Sequence, residues 1–163
     1  MAPVDIWTEK LEQRHLALLE RWIGRTAGRM TTCDLPDNPD MLPQWYEGSE
    51  AEAGRRDCLV LAYDTPIGIA GFRKTERNTE EAELYLMLGE ANYNLIRTAT
   101  YATIRILDQA FQDYHRIIAM VYDHHEEYLS ALNRMGFSQS NAEGNLIAVS
   151  VEKTVFQSRK YLF

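Results

Sequence analysis

Glu83-Leu84-Tyr85-Leu86-Met87-Leu88, closed by Gly89, is the stretch that decides the fold. It reads as the end of a strand over residues 81–88, and the strongest helical pattern in the chain follows it over 95–114. There Ile96, Ala99, Thr103, Ile106, Leu107, Ala110 and Phe111 recur at helical spacing, with Asn94 as a good N-cap. A β-rich run over 116–122 comes next, then a shorter helix opened by Asp123 and stopped by Gly136 after Met135. A strand–helix–strand crossover is right-handed and sets its two strands parallel. A strand feeding a helix N-terminus is also a common seat for phosphate, because the first helical N–H groups are unpaired and the helix dipole is positive there. The loop between Gly89 and Asn94 lacks the glycines such seats usually carry.

Upstream, residues 4–10 alternate with Val4 and Ile6 on one side, a half-buried strand. Over 11–23 the spacing turns helical, with Leu11, Leu18, Leu19 and Trp22 on one face and Gly24 and Gly28 ending the run. Residues 31–54 differ in kind. They hold Pro36, Pro39 and Pro43 and six acids (Asp34, Asp37, Asp40, Glu47, Glu50, Glu52) without a Lys or Arg, and a short helix fits over 41–46. Residues 58–63 and 67–73 read as strands joined by the turn Asp64-Thr65-Pro66, and 75–79 is a polar turn into the strand over 81–88. Gly68 and Gly71 permit a bulge or a close approach. Beyond Gly136, residues 141–145 favour a turn and 146–155 a last strand. The expected order is β-α-loop-β-β-β-α-β-α-β. This is a mixed α/β class: a mostly antiparallel sheet with one parallel crossover, helices on both faces, and a single domain over 1–163.

The bulk numbers fit one domain with a core: 163 residues, 45% of them apolar. No apolar run reaches the length of a membrane span, so no membrane partner is expected. The N-terminus lacks a basic region followed by an apolar core, which points to a cytoplasmic protein without a secretory signal. A net charge of -7 disfavours nucleic acid as a partner. Cys33 and Cys58 have neither metal spacing nor the density of a disulfide framework. His124-His125-Glu126-Glu127 lacks the spacing of a zinc helix, so no metal is expected, and its carboxylates suit the helix dipole.

These residues resemble the GNAT family of acyl-CoA-dependent N-acetyltransferases. The opening Leu11-Glu12-Gln13-Arg14-His15-Leu16-Ala17-Leu18-Leu19-Glu20-Arg21-Trp22 is similar to the family's strand-to-helix start. Leu107-Asp108-Gln109-Ala110-Phe111 with His115-Arg116-Ile117 resembles the end of its cofactor helix, and Leu132-Asn133-Arg134-Met135-Gly136-Phe137 its closing signature. The resemblance implies acyl transfer from acetyl-CoA or another acyl-CoA to an amine of a small molecule or a protein. It aligns Asn94-Leu95-Ile96-Arg97-Thr98-Ala99 with the family's pyrophosphate loop. Arg97 replaces a glycine there and narrows the backbone's approach to phosphate, but it can supply a charge-assisted contact instead.

The resemblance also implies roles. Backbone N–H groups at Met87 and Leu88 would polarise the thioester carbonyl. Glu83 stands where several members carry a general base, with Tyr85 and Met87 on its face by alternation, and Glu81 is a weaker candidate. The family's proton-donating Tyr position is Leu132, so Tyr128, one turn earlier, is the expected substitute. His125 stands where the family has an Asn at the cofactor. Asp34, Trp45 and Tyr46 would border the acceptor cleft, where acidic charge draws a cationic amine. The degenerate loop leaves a second possibility, a GNAT-fold binding module without catalysis. The aromatic tail Tyr161-Leu162-Phe163 offers a surface for a homodimer.

Overall fold

The computed structural model describes residues 5–93 and 95–163, so the readings of Val4 and Asn94 lie outside the described residues. Among the described residues seven strands form one sheet: β1 Ile6–Lys10, β2 Arg56–Ala62, β3 Thr65–Lys74, β4 Glu81–Leu88, β5 Arg116–Tyr122, β6 Ser138–Glu143 and β7 Leu146–Glu152. Their spatial order is β1-β2-β3-β4-β5-β7-β6. Every neighbouring pair is antiparallel except β4 and β5, which the crossover helix α3 (Leu95–Ala110) makes parallel.

Alternation along β4 divides the core. Leu84, Leu86 and Leu88 point to the side of α3, where Ala99, Ala102, Ile106 and Ala110 form its buried stripe with Tyr128, Leu132 and Met135 of α4 (Glu126–Met135). Tyr85 and Met87 point the other way, into a second cluster with Leu19 and Trp22 of α1 (Leu16–Trp22) and Leu42 of α2 (Leu42–Ala51). Helices thus cover both faces, and central strands buried on both sides are apolar nearly throughout. Glu126 and Glu127 occupy the first turn of α4, and Gly136 ends it at φ 110°, a left-handed conformation that favours glycine.

Several boundaries differ from the expected ones, β2 and β3 by one or two residues at their ends. The first helix begins as a 3-10 turn at Gln13–His15, and the long helix stops at Ala110 rather than running on to 114. The helix expected over 41–46 continues to Ala51. Residues 138–143 are a strand although every one is exposed: an edge strand with solvent on both faces carries no alternation to read. The strand expected to 155 ends at Glu152 and turns directly into α5 (Lys153–Arg159), where Phe156 is buried and Val155 exposed. The β-branched residues before it look alike in either state.

Candidate active site

β4 and β5 pair over only three positions, Glu81–Glu83 against Arg116–Ile118, and then part. Glu83 is the last paired residue of β4, at the apex of the wedge. Its side chain lines a pocket of about 230 Å³ with Thr32, Cys33, Asp34, Arg73 and Tyr85. Among the described residues it has no hydrogen-bond or ion-pair partner, and Arg73 faces it across β3. Burial raises its pKa above the ordinary carboxylate value; Arg73 opposes the shift, while Asp34 and Glu81 add to it. Glu81, on the same strand face, differs. It accepts from Arg77 (2.8 Å) and Thr75 (3.0 Å) and pairs with Arg116 (2.9 Å). Its own burial would raise its pKa, but those donors outweigh it and hold the group below the usual value. Glu81 therefore ties the β4–β5 junction together as an ionised carboxylate.

Beside the pocket runs a network that no motif signalled. Tyr85 donates to Asp57 at 2.5 Å, and Arg55, with a side chain only 2% exposed, bonds both Asp57 and Asp34. Trp45 donates from Nε1 to Asp34 (3.0 Å) and lies under the Arg55 guanidinium. Arg73 reaches Asp34 at 3.0 Å. Burial would raise the Asp34 pKa, but the Arg55 and Trp45 hydrogen bonds outweigh it and leave the group at about 2. The expected acidic field is thus largely neutralised. Asp34, Asp37, Glu50 and Glu52 all have basic partners from outside residues 31–54: Lys10 and Arg29 upstream and Arg55 just after them. Asp34 and Trp45 also line an adjoining hollow of about 380 Å³, whereas Tyr46 packs on the second core cluster. Cys33 in the pocket wall has its thiol pushed up to about 12 by burial, so it is no ready nucleophile.

On the other face, Ile96, His125 and Tyr128 line a groove of about 320 Å³ with Met30, His124, Glu126 and Glu127. Leu95 opens α3, and Arg97 is half-buried in its first turn. Thr98 and Ala99 are turned inward; the Thr98 hydroxyl is buried without a partner among the described residues. His124 and His125 stack on one another at 4.1 Å. Tyr128, expected as a proton donor, is buried between α3 and α4. Thr103 gives its proton to the Ala99 carbonyl, so the Tyr128 hydroxyl, 2.8 Å away, donates to Thr103. Burial first of all raises the Tyr128 pKa far above the ordinary phenol value. In this structure its one proton is directed to Thr103 inside the core.

At Met87 and Leu88, where the thioester carbonyl is expected, residues 28–32 lie in the wedge as an added strand. Met30 N–H bonds the Leu86 carbonyl (3.1 Å), and Leu88 N–H bonds the Gly28 carbonyl (2.8 Å). On the far side Tyr122 N–H bonds the Met30 carbonyl (3.1 Å), and Thr32 N–H the Met120 carbonyl (2.9 Å). Thr31 Oγ1 accepts from Leu86 N–H (3.0 Å). Residue 87 bridges residue 29 in the register that turns its own amide toward β3. His125 donates from Nε2 to the Arg29 carbonyl (2.7 Å). In this arrangement the Leu88 amide bonds Gly28 and the His125 ring bonds Arg29, both within the chain.

The family model described as acetyltransferase (GNAT) domain matches residues 8–138. The chain belongs to the GNAT acetyltransferase family. Solved structures agree on the fold. Spermidine N-acetyltransferase from Vibrio cholerae, in complex with CoA and spermine, superposes with a TM-score of 0.77 at 14% identity, over 93% of this chain and 98% of that one. RimJ of Mycobacterium smegmatis, in complex with CoA-disulfide, gives 0.72 at 16% identity, over 91% and 82%. An uncharacterised protein of Bacillus halodurans gives 0.78 at 12% identity, over 94% and 87%. No curated protein matches by sequence.

Proposed function

We propose that this chain is an N-acyltransferase that moves an acetyl or related acyl group from acyl-CoA to an amine of a small molecule or a protein. The observation that carries the reading is Glu83: a half-buried carboxylate without a hydrogen-bond or ion-pair partner among the described residues, at the apex where β4 and β5 part, with its proton affinity raised. The amine nitrogen bonds to the acyl carbon, the carbon–sulfur bond breaks, and Glu83 takes the proton the nitrogen loses. The CoA thiolate leaves without a protein acid, since the Tyr128 proton is held by Thr103. Asp34 and Trp45 border the acceptor side. With the Asp34 charge matched by Arg55 and Arg73, shape and the Glu83 carboxylate select the acceptor more than a diffuse acidic field. Amine acceptance is in keeping with the Vibrio cholerae relative bound to spermine.

The test is Glu83→Gln, scored by initial rate and by acetyl-CoA affinity. The rate should fall roughly 10²- to 10⁴-fold, the usual contribution of a positioned base, with affinity unchanged. An unaltered rate in active protein would remove Glu83 from the chemistry. The occupied wedge and the glycine-free loop favour a second reading, a binding module of the same fold without catalysis. It requires that neither the wild type nor any variant turn over acyl-CoA.

A further inference from the structure

We infer that residues 28–32 are a displaceable strand that closes the acyl-CoA seat in the form described here. This rests on the acyltransferase reading above. A donor with its phosphates at the start of α3 and its acyl carbon beside Glu83 must run along the β4 edge facing β5. On that edge the Leu86 and Leu88 amides and the Leu86 carbonyl are the polar groups on offer, and residues 28–32 take all three. The amide-bearing arm of CoA presents the same donors and acceptors, so one can replace the other on the same edge.

The segment is built for exchange more than for permanence. Its bonds to the sheet are backbone ladder bonds, apart from those made by Thr31 and His125. Met30 is its one apolar anchor in the core. Residues 24–27 before it are exposed and irregular, and the chain beyond it stays irregular to residue 38. Fixed points flank these connectors. Arg25 bonds the Gly89 carbonyl and Glu90 on one side, and Asp34 is held by Arg55 on the other. The intervening chain can bow outward while α1 and the pocket wall stay in place. Gly28 shows how closely the strand is seated: a Cβ there would lie 1.8 Å from the Leu88 carbonyl oxygen.

Gly28→Ala is therefore the direct test, because the clash is with the central sheet and the segment must give way. Calorimetric titration with acetyl-CoA should show at least about tenfold tighter binding than wild type, since the cost of opening no longer reduces the apparent affinity. Thr31→Val removes the acceptor for Leu86 N–H with little change of shape and should tighten binding in the same direction. Near-ultraviolet circular dichroism verifies that both variants are folded. Hydrogen exchange on the wild type provides a reading without mutation: the Met30 and Thr32 amides should lose protection when acetyl-CoA binds. If the wild type binds acetyl-CoA with those amides still protected, and neither folded variant gains affinity, the strand is permanent and the ligand lies elsewhere. In that case the proposal fails and the acyltransferase reading survives. If no form binds, both fail.

Discussion

Glu83 and Glu81 stand two residues apart on one face of β4 and meet opposite fates. Two hydrogen-bond donors and the Arg116 cation surround Glu81 and hold it ionised, while Glu83 is left half-buried with only the Arg73 charge opposite it on β3. A base whose pKa is raised works only above that pKa. Turnover should therefore climb with pH through a limb lying above the ordinary Glu value of 4.5, and Glu83→Gln should abolish the limb. A pH–rate profile of the two proteins checks this. Tyr128→Phe should leave the profile unchanged and lower stability by about 1 kcal/mol, the worth of one buried hydrogen bond. Denaturant unfolding measures the stability change, and a large loss of rate in the folded variant would restore Tyr128 to the chemistry. That Glu83 lines a pocket beside the β4–β5 junction was legible because strand alternation and family position both pointed to it. Arg55, Asp57 and the Tyr85 hydroxyl were not. They converge from separate elements through pairings that sequence neighbours do not announce.

Among the elements, the approach of α2 to β2 and β3 depends on Arg55, whose side chain is 2% exposed between Asp34 and Asp57. Arg55→Met leaves the Asp57 carboxylate, 7% exposed, without its cation. The expected loss is roughly 3 kcal/mol, as for breaking one side of a buried pair, and chemical denaturation checks it. Asp34 sets an acid limit. Its folded pKa of about 2 lies below the ordinary 3.8, so its contribution is present above pH 3.8 and fades as pH falls toward 2. Asp34→Asn should flatten that part of the acid-unfolding curve. The long helix, its flanking strands and the Gly136 stop were readable from spacing and turn chemistry. β6 and α5 were not, because one is an all-exposed edge and the other shares its β-branched residues with the strand before it. The strand over 28–32 left no trace either: Gly28 read as a helix terminator, while its real constraint is the carbonyl of Leu88.

For the whole molecule, fold class and family followed from the order of elements, which survives even where single motifs are eroded. The occupancy of the wedge did not, since it depends on what a connecting segment does between two diverging strands. No helix among the described residues is long and apolar enough to cross a membrane. The tail keeps Tyr161 80% and Leu162 59% exposed, while Phe163 lies against Arg134, so the surface offered to a second copy is narrow. Catalysis itself is the central matter, and amine-dependent release of free thiol from acetyl-CoA measures it most directly. Wild-type protein and Glu83→Gln would be compared across a panel of primary amines and amino-terminal peptides. The expected result is release that saturates with at least one amine and is lost in Glu83→Gln. Acetyl-CoA bound by the protein with no amine-dependent release, or equal release by both proteins, would contradict it.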